Sequence, residues 1–537
     1  KRTAQMRNSY VKVIGILICA AVLAGLFAGC SVFKFPSSGS DADPAETPAP
    51  SSLLAETSVS GDTIFSINYS SLYGLNPISD LKKVNQLASS LVYEGLFAYD
   101  ENFDFYPVLC ESYYTQDGTY YTFKIKSGVT FHDGTPLTAN DVYYSINLAR
   151  RSSLYSGRFS YVSGVSAVDS ETLAISLSRA NMLFPVLLDV PIIKEGAGNE
   201  KNPPGTGPYV LSREQDTVFL KAYEGYRDYD RLPLKRIYLQ EYEAESLVGA
   251  YEAGYVDLVV TDPTDPSALS FSGNIEARYF PTTYLQYLGF NMRGGFFSNP
   301  DMRRAMSYLI DRSYIVQNVM SGGGREAYVP TALRSKAVDS VASQFSCSPE
   351  KVREMLSAAG VSDYDKDGWV EYLSGSVPVR FTVKFIANKD NPVKLAAAEY
   401  IAGAMRELGI NVILEKLSWE DYLYALERGN FDMYYAEVKL SPDFDLSKLL
   451  YRSGELNYGG INDGAYEILL SAYFSADDTL RETAAEALYN DLASTAPIVP
   501  VVFRCQAMLT KRGFVAGAKP SASSVFHDIT AWTVNLG

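Results

Sequence analysis

The sequence predicts an α/β protein of more than one domain, exported and held at a membrane by its N-terminus. Three observations carry this. Residues 348–438 alternate helix and strand signals in the order of a parallel α/β sheet. The stretch before them is rich in short strands separated by Gly, Asp and Pro turns. And the first 30 of the 537 residues read as an export signal rather than as part of a fold.

The signal comes first. Lys1, Arg2, Arg7 and Lys12 precede an apolar run from Val13 to Ala28, which ends in Phe27-Ala28-Gly29-Cys30. This layout is that of a secretory signal. Small residues before a cysteine make it similar to a bacterial lipoprotein signal, which implies that Cys30 is lipidated and becomes the first mature residue; Phe27 departs from the usual Leu. The alternative is an uncleaved anchor, because the run is close to the shortest that spans a bilayer. Residues 36–58 are mostly Pro, Ser, Ala, Thr and acids, too polar to bury a core, and read as a flexible stalk.

In the N-terminal half, 63–69, 120–125, 172–177, 218–223 and 236–241 read as strands, and 84–93, 139–150, 245–253 and 300–310 as helices. Thr138 and Asp141 form a capping box. In the C-terminal half, Ser348-Pro349 opens a helix ending before Gly360. Val379, Phe381, Val383 and Phe385 alternate with Arg380, Thr382 and Lys384, which predicts a half-buried strand over 377–387. A helix from Asn391-Pro392 to Gly409, a strand over 410–414, a helix capped by Ser418 and Asp421, and a strand over 431–438 follow.

Composition limits the chemistry. The formal net charge is −15; removing the signal takes away four cations and no acid, leaving −19. That argues against nucleic-acid binding, which needs a basic face. Only His132 and His527 could serve a His-based metal site or triad, and neither GxSxG nor GxxxxGK[ST] occurs. Cys110, Cys347 and Cys505 are widely spaced; one disulfide is an alternative that the spacing does not pair, and they read best as three buried small hydrophobes. Asp363-x-Asp365-x-Asp367-Gly368 matches the start of a calcium loop, but Ser374 stands where the bidentate Glu belongs. An Asx-rich turn is the favoured reading and weak calcium binding the other. No cofactor is expected.

A set of short motifs is more specific. In order, these are Leu75-Asn76-Pro77, Tyr93-Glu94-Gly95-Leu96, Asp117-Gly118-Thr119-Tyr120, Phe131-His132-Asp133-Gly134-Thr135-Pro136-Leu137, Gly205-Thr206-Gly207-Pro208-Tyr209, Gly254-Tyr255-Val256-Asp257, Phe290-Asn291, Arg303-Arg304-Ala305 through Ile310-Asp311-Arg312, and Ala496-Pro497-Ile498-Val499-Pro500. Each alone is a turn or a cap. Together they resemble the family 5 extracellular solute-binding proteins of ABC importers, the dipeptide, oligopeptide and nickel-type binding lipoproteins, from about Val59 to the C-terminus. Within that series, Arg304 and Asp311 read as helix-packing and capping residues.

The resemblance implies a bilobed clamshell of the periplasmic-binding-protein type (class II, cluster C) with a small extra subdomain. Signal 1–29 and linker 30–58 precede lobe I, formed by 59–100, 201–282 and 496–537. The inserted subdomain is 101–200 and lobe II is 283–495. The chain crosses between lobes near Thr282–Tyr284 and near Ala496–Pro497, and the solute is enclosed by hinge closure. Binding rather than catalysis is the implied function. The implied partners are a small solute, a short peptide before an oligosaccharide, opine or metal chelate, and the permease of an ABC importer. The implied state is a lipid-anchored monomer on the outer side of the cell membrane. A surface sensor on the same fold and, more remotely, a tethered hydrolase are the other classes.

Peptide-binding relatives hold the peptide amine with a carboxylate in the strand before a proline. Counting back from Pro442, that position is Val438; Glu437 is adjacent, and adjacent strand residues face opposite ways. Tyr435 falls at the family's aromatic wall position. The ligand candidates are therefore Tyr435, Glu437, Tyr284 and Tyr287, with Asp80 and Lys83 as weaker members.

Overall fold

The structure is a computed structural model and describes residues 64–79 and 81–535. The expected signal, Cys30, the linker and Asp80 lie outside the described residues. Asp62–Gly537 forms one compact unit. No helix among the described residues is long and apolar enough to cross a membrane.

One mixed sheet of eleven strands runs through the whole unit. At one end, Asn411–Leu417, Thr382–Asn388 and Met433–Lys439 run parallel to one another. At the other, Ser66–Asn68 is flanked in parallel by Leu258–Thr261 and Arg236–Gln240, followed by Thr217–Ala222 and Tyr209–Glu214. Two long antiparallel strands, Ile275–Phe290 and Ile498–Lys511, join these ends. The two ends are the lobes of a bilobed α/β protein.

The joining strands change neighbours partway along. Ile275–Phe290 pairs with Met433–Lys439 only from Tyr284 onward, and its ladder with Ile498–Lys511 is irregular between Pro281 and Leu285. Pro281 has no N–H to donate, so a ladder interrupted here is expected. On its other edge, Ile498–Lys511 pairs with Gly324–Glu326 through Arg504 and with Leu258–Thr261 from Ala507. The second change of neighbours thus falls at Arg504–Ala507, further along than Ala496–Pro497.

A separate four-stranded antiparallel sheet (Cys110–Thr115, Tyr120–Ile125, Thr172–Leu177, Val162–Ala167) packs with the helix Ala139–Ala149. That helix starts as expected: Asp141 Oδ2 accepts from the Thr138 N–H at 2.9 Å and from its hydroxyl at 2.7 Å. The segment that follows Thr172–Leu177 is fastened to the second lobe by polar contacts. Asn181 Nδ2 donates to Asp443 Oδ2 at 2.8 Å, and Arg179 pairs with Asp445.

Local signals were reliable where the chain chemistry is local. The helices Pro349–Ala358, Pro392–Glu407 and Trp419–Arg428 begin at the expected Ser348, Asn391 and Ser418 caps. The strand expected over 377–387 is instead two. Val377–Arg380 joins a small hairpin with Glu371–Ser374, and Thr382–Asn388 enters the main sheet. The alternation is real on both sides of Phe381, so periodicity alone could not show the change of sheet. Glycine is required at Gly289, whose Cβ would lie 2.0 Å from the Tyr434 ring.

Two arginines of the 303–312 series are buried in the scaffold. Arg303 donates to the carbonyls of Ala496, Phe297 and Thr495. Arg312 donates to those of Ala327, Ser307 and Pro500. Of the residues singled out in that series, Arg304 pairs with Asp301 at 2.9 Å and Asp311 caps the Tyr314 N–H at 2.9 Å.

Asp257 closes the first lobe against Ser66, whose N–H it accepts at 2.8 Å. Burial raises its carboxyl to about 6, against the Ser66 hydrogen bond and the charge of Lys511. A carboxyl raised in the folded state binds a proton that the unfolded chain has lost, so its contribution to stability falls as pH rises from about 4 to about 6. The expected loss across that window is at most about 3 kcal/mol. In Asp257→Asn this fall is absent; denaturation at pH 4, 5, 6 and 7 of both proteins checks it.

Candidate functional site at the hinge cleft

The sheet register brings six strand ends to one place. Thr261, the carboxyl end of Leu258–Thr261, pairs with Ala507, and Lys439, the carboxyl end of Met433–Lys439, pairs with Tyr284. Both lie at the interruption of the joining strands. The parallel neighbours of each therefore also direct their carboxyl ends toward the hinge. In open α/β sheets this crevice is where ligands bind.

A cleft of about 1300 Å³ opens there. Its walls include Asn68–Ser70, Glu241–Glu243 and Thr261–Asp262, the first-lobe strand ends, together with Tyr106, Arg158, Asp189 and the segment 521–530. All its lining residues come from 68–280 and 506–530. The second lobe contributes none. Seven tyrosines line it: 69, 73, 93, 106, 155, 226 and 242. His527 is among the lining residues and meets the Tyr106 hydroxyl at 2.6 Å; His132 instead contacts the Gly207 carbonyl at 3.0 Å and serves the scaffold.

Behind the cleft, at the hinge itself, sits a charge network. Arg504 pairs with Asp262 of the first lobe and, at 3.0 Å, with Glu437 of the second. Glu437 also accepts from Lys394 at 3.2 Å and from Gln286 Nε2 at 3.0 Å. The Arg504 guanidinium lies 4.9 Å from the Tyr284 ring centroid and leaves its buried Nε without a partner. Burial works against the Arg504 charge, but Glu437 and Asp262 outweigh it and hold the guanidinium above its usual value. Burial raises the Tyr284 hydroxyl, with Arg504 opposing.

The sequence candidates separate by strand parity. Tyr284, Gln286, Tyr435 and Glu437 share one face: Glu437 pairs with Gln286 across the ladder, and the Tyr435 hydroxyl donates to Gln286 Oε1 at 2.7 Å. Tyr435 is 3% exposed, so it supports Gln286 from within rather than forming an open wall. Tyr287 lies on the other face, 2% exposed and packed edge-on against Tyr434. It belongs to the core of the second lobe, a correction that the odd spacing from Tyr284 already implied. Val438 is also buried. Lys83 lines the cleft and meets Asp265 at 3.4 Å. Glu437 is at the hinge but not free: two cations and an amide already hold it.

Sequence reasoning missed Arg504, Asp262, Gln286 and Lys394. The signal for Arg504 was present, a lone cation within the apolar run 498–509. A charge there must be paired if the strand is buried.

In the acidic turn, carboxylate oxygens of Asp363, Asp365, Asp367 and Glu371 lie within 4.8 Å of one another. Asp363 accepts from Gly368 N–H, Asp365 from Asp367 N–H, and Asp367 from Trp369 N–H and Arg380. Those are the bonds of an Asx-rich turn.

Comparison with known proteins agrees with this architecture. Residues 104–455 match the middle region of the bacterial extracellular solute-binding proteins, family 5. The chain is 27% identical over 462 residues to the oligopeptide-binding protein AppA of Bacillus subtilis, covering 80% of this chain and 79% of that one. It is 24% identical over 445 residues to heme-binding protein A of Haemophilus influenzae, covering 74% and 79%. Among solved structures, the unliganded open form of the periplasmic murein tripeptide-binding protein MppA superposes with a TM-score of 0.71 at 19% identity, covering 88% of this chain and 98% of that one. A bilobed sheet with its strand ends gathered at a hinge cleft, together with a family match over most of the chain, shows that the protein belongs to the bacterial extracellular solute-binding proteins of family 5.

Proposed function

We propose that this chain is the solute receptor of an ABC importer, a lipoprotein tethered through Cys30, and that its solute is a short peptide. The observation that carries the peptide reading is the size of the cleft. At about 1300 Å³, lined by the first lobe and the inserted subdomain, it exceeds the ~300–1,000 Å³ usual for single small molecules. The similarity to an oligopeptide-binding protein over 80% of the chain supports the same reading.

On this reading lobe I is 59–100, 201–282 and the chain after Arg504, lobe II runs from 283 to about Arg504, and 101–200 is an inserted subdomain. The joining strands bend at Pro281–Leu285 and Arg504–Ala507, and the second lobe swings over the cleft. Closure is driven by the solute's greater affinity for the closed state. A permease then receives the solute from the closed protein.

Glu437 meets the peptide amine once the lobes close, by exchanging part of its contact with Lys394 or Arg504 for the incoming cation. Glu437→Ala is expected to weaken binding of a free-N-terminus tripeptide at least tenfold, with a smaller effect on its N-acetylated form. Calorimetric titration of both peptides checks this. Equal affinities of the parent and the variant remove the carboxylate from the site. The overall reading is tested by thermal melting with a panel of di- to pentapeptides: at least one class should raise the midpoint in proportion to the logarithm of its concentration.

A further inference from the structure

The charged side chains of the cleft are unevenly matched. Eight carboxylates line it (Glu94, Asp189, Asp228, Glu241, Glu243, Asp262, Asp265 and Asp528) against three cations, Lys83, Arg158 and Arg227. Each cation is already paired within the lining: Lys83 with Asp265 at 3.4 Å, Arg227 with Glu94 at 2.6 Å, and Arg158 with Asp189. Asp262 is held by Arg504. Among the described residues no ion pair reaches Glu241, Glu243 or Asp528.

Two of those carboxylates are positioned by the fold. Glu241 and Glu243 follow the carboxyl end of Arg236–Gln240, and Glu241 accepts the Ser71 N–H at 2.6 Å. Asn68 exchanges two hydrogen bonds with the Tyr242 backbone, at 3.0 and 3.1 Å, which fixes that strand end against its neighbour. Tyr69, Tyr73 and Tyr242 also line the cleft. Tyr73 is 40% exposed, and the Lys82 ammonium lies 5.9 Å from its ring centroid. An aromatic face beside a carboxylate receives an ammonium or guanidinium group twice over, by ion pairing and by cation–π attraction. A concave wall of one sign also concentrates oppositely charged solutes.

We propose that the first-lobe wall selects its solute by positive charge. The occupant carries basic groups, amines or guanidiniums, that meet Glu241, Glu243 and Asp528. Resting on the peptide reading above, it is a peptide with lysine- or arginine-type side chains. A ligand carboxylate finds no unpaired cation on this wall.

The test is calorimetric titration of the full chain with trilysine, trialanine, triglutamate and the non-peptide cation spermidine, at low salt and at 0.5 M salt. Trilysine is expected to bind at least tenfold tighter than trialanine, and triglutamate weakest. The trilysine preference should shrink at 0.5 M salt, where the screening length falls to about 4 Å. In the doubly substituted Glu241→Gln, Glu243→Gln protein it should fall to about twofold. Both positions are solvent-exposed, so the folded protein is retained. Trialanine or triglutamate binding as tightly as trilysine overturns the proposal, and so does an unchanged preference in the double variant. If spermidine binds and none of the tripeptides does, charge selection stands and the peptide reading falls. If neither spermidine nor trilysine binds, charge selection falls.

Discussion

Arg504→Met is expected to cost about 3 kcal/mol of stability at pH 7, the order found when one partner of a buried ion pair is removed. The side chains concerned are well covered: Arg504 is 16% exposed, Glu437 10% and Asp262 8%. Without the guanidinium, two carboxylates from opposite lobes lose their shared cation, although Lys394 still reaches Glu437. Denaturation of parent and variant at pH 7 measures this. A variant equal to the parent would mean that Arg504 does not hold the two carboxylates. Because those carboxylates belong to different lobes, the variant should also change the distance between spin labels placed on the two lobes without any solute.

Arg312→Met is expected to be at least as damaging, for a different reason. The guanidinium is 2% exposed by residue and satisfies the carbonyls of Ala327, Ser307 and Pro500. Burial lowers it to about 10, with Tyr328 and Glu326 opposing, so it stays charged at neutral pH. Its ring partner is Tyr328, 4.6 Å away. Methionine fills much of the space but leaves those carbonyls unpaired, at about 1–3 kcal/mol each. Arg312→Lys restores the charge with fewer, differently directed donors and should recover part of the loss. The folded fraction of either variant should bind solute as the parent does, since Arg312 lies behind Pro500 and outside the cleft. A loss of affinity without a loss of stability would contradict this assignment.

The contrast between these arginines shows what the chain discloses locally. Helix starts at Ser348, Asn391 and Ser418 were legible because a cap is a contact within four residues. The α/β order was legible because strand and helix periods differ. Arg303 and Arg312, by contrast, owe their burial to carbonyls on the strand 498–511 and its approach, nearly two hundred residues away. The hinge network is assembled from 262, 286, 394, 437 and 504, and no local pattern joins those positions. Strand parity could have excluded Tyr287 once Tyr284 was chosen. Parity could not show that Glu437 would already be partnered, because that depends on which strand lies beside it. The change of sheet at Phe381 was hidden for the same reason: the alternation of side chains continues through it while the hydrogen-bond partners change.

Whether the hinge cleft holds a peptide is decided by native mass spectrometry of the protein purified from its own host without denaturation. A spread of added masses matching di- to pentapeptides, displaced together by an excess of one tight-binding peptide, is the expected result. A single discrete added mass that fragments to something other than amino acids would contradict it and make the cleft a receptor for a non-peptide solute.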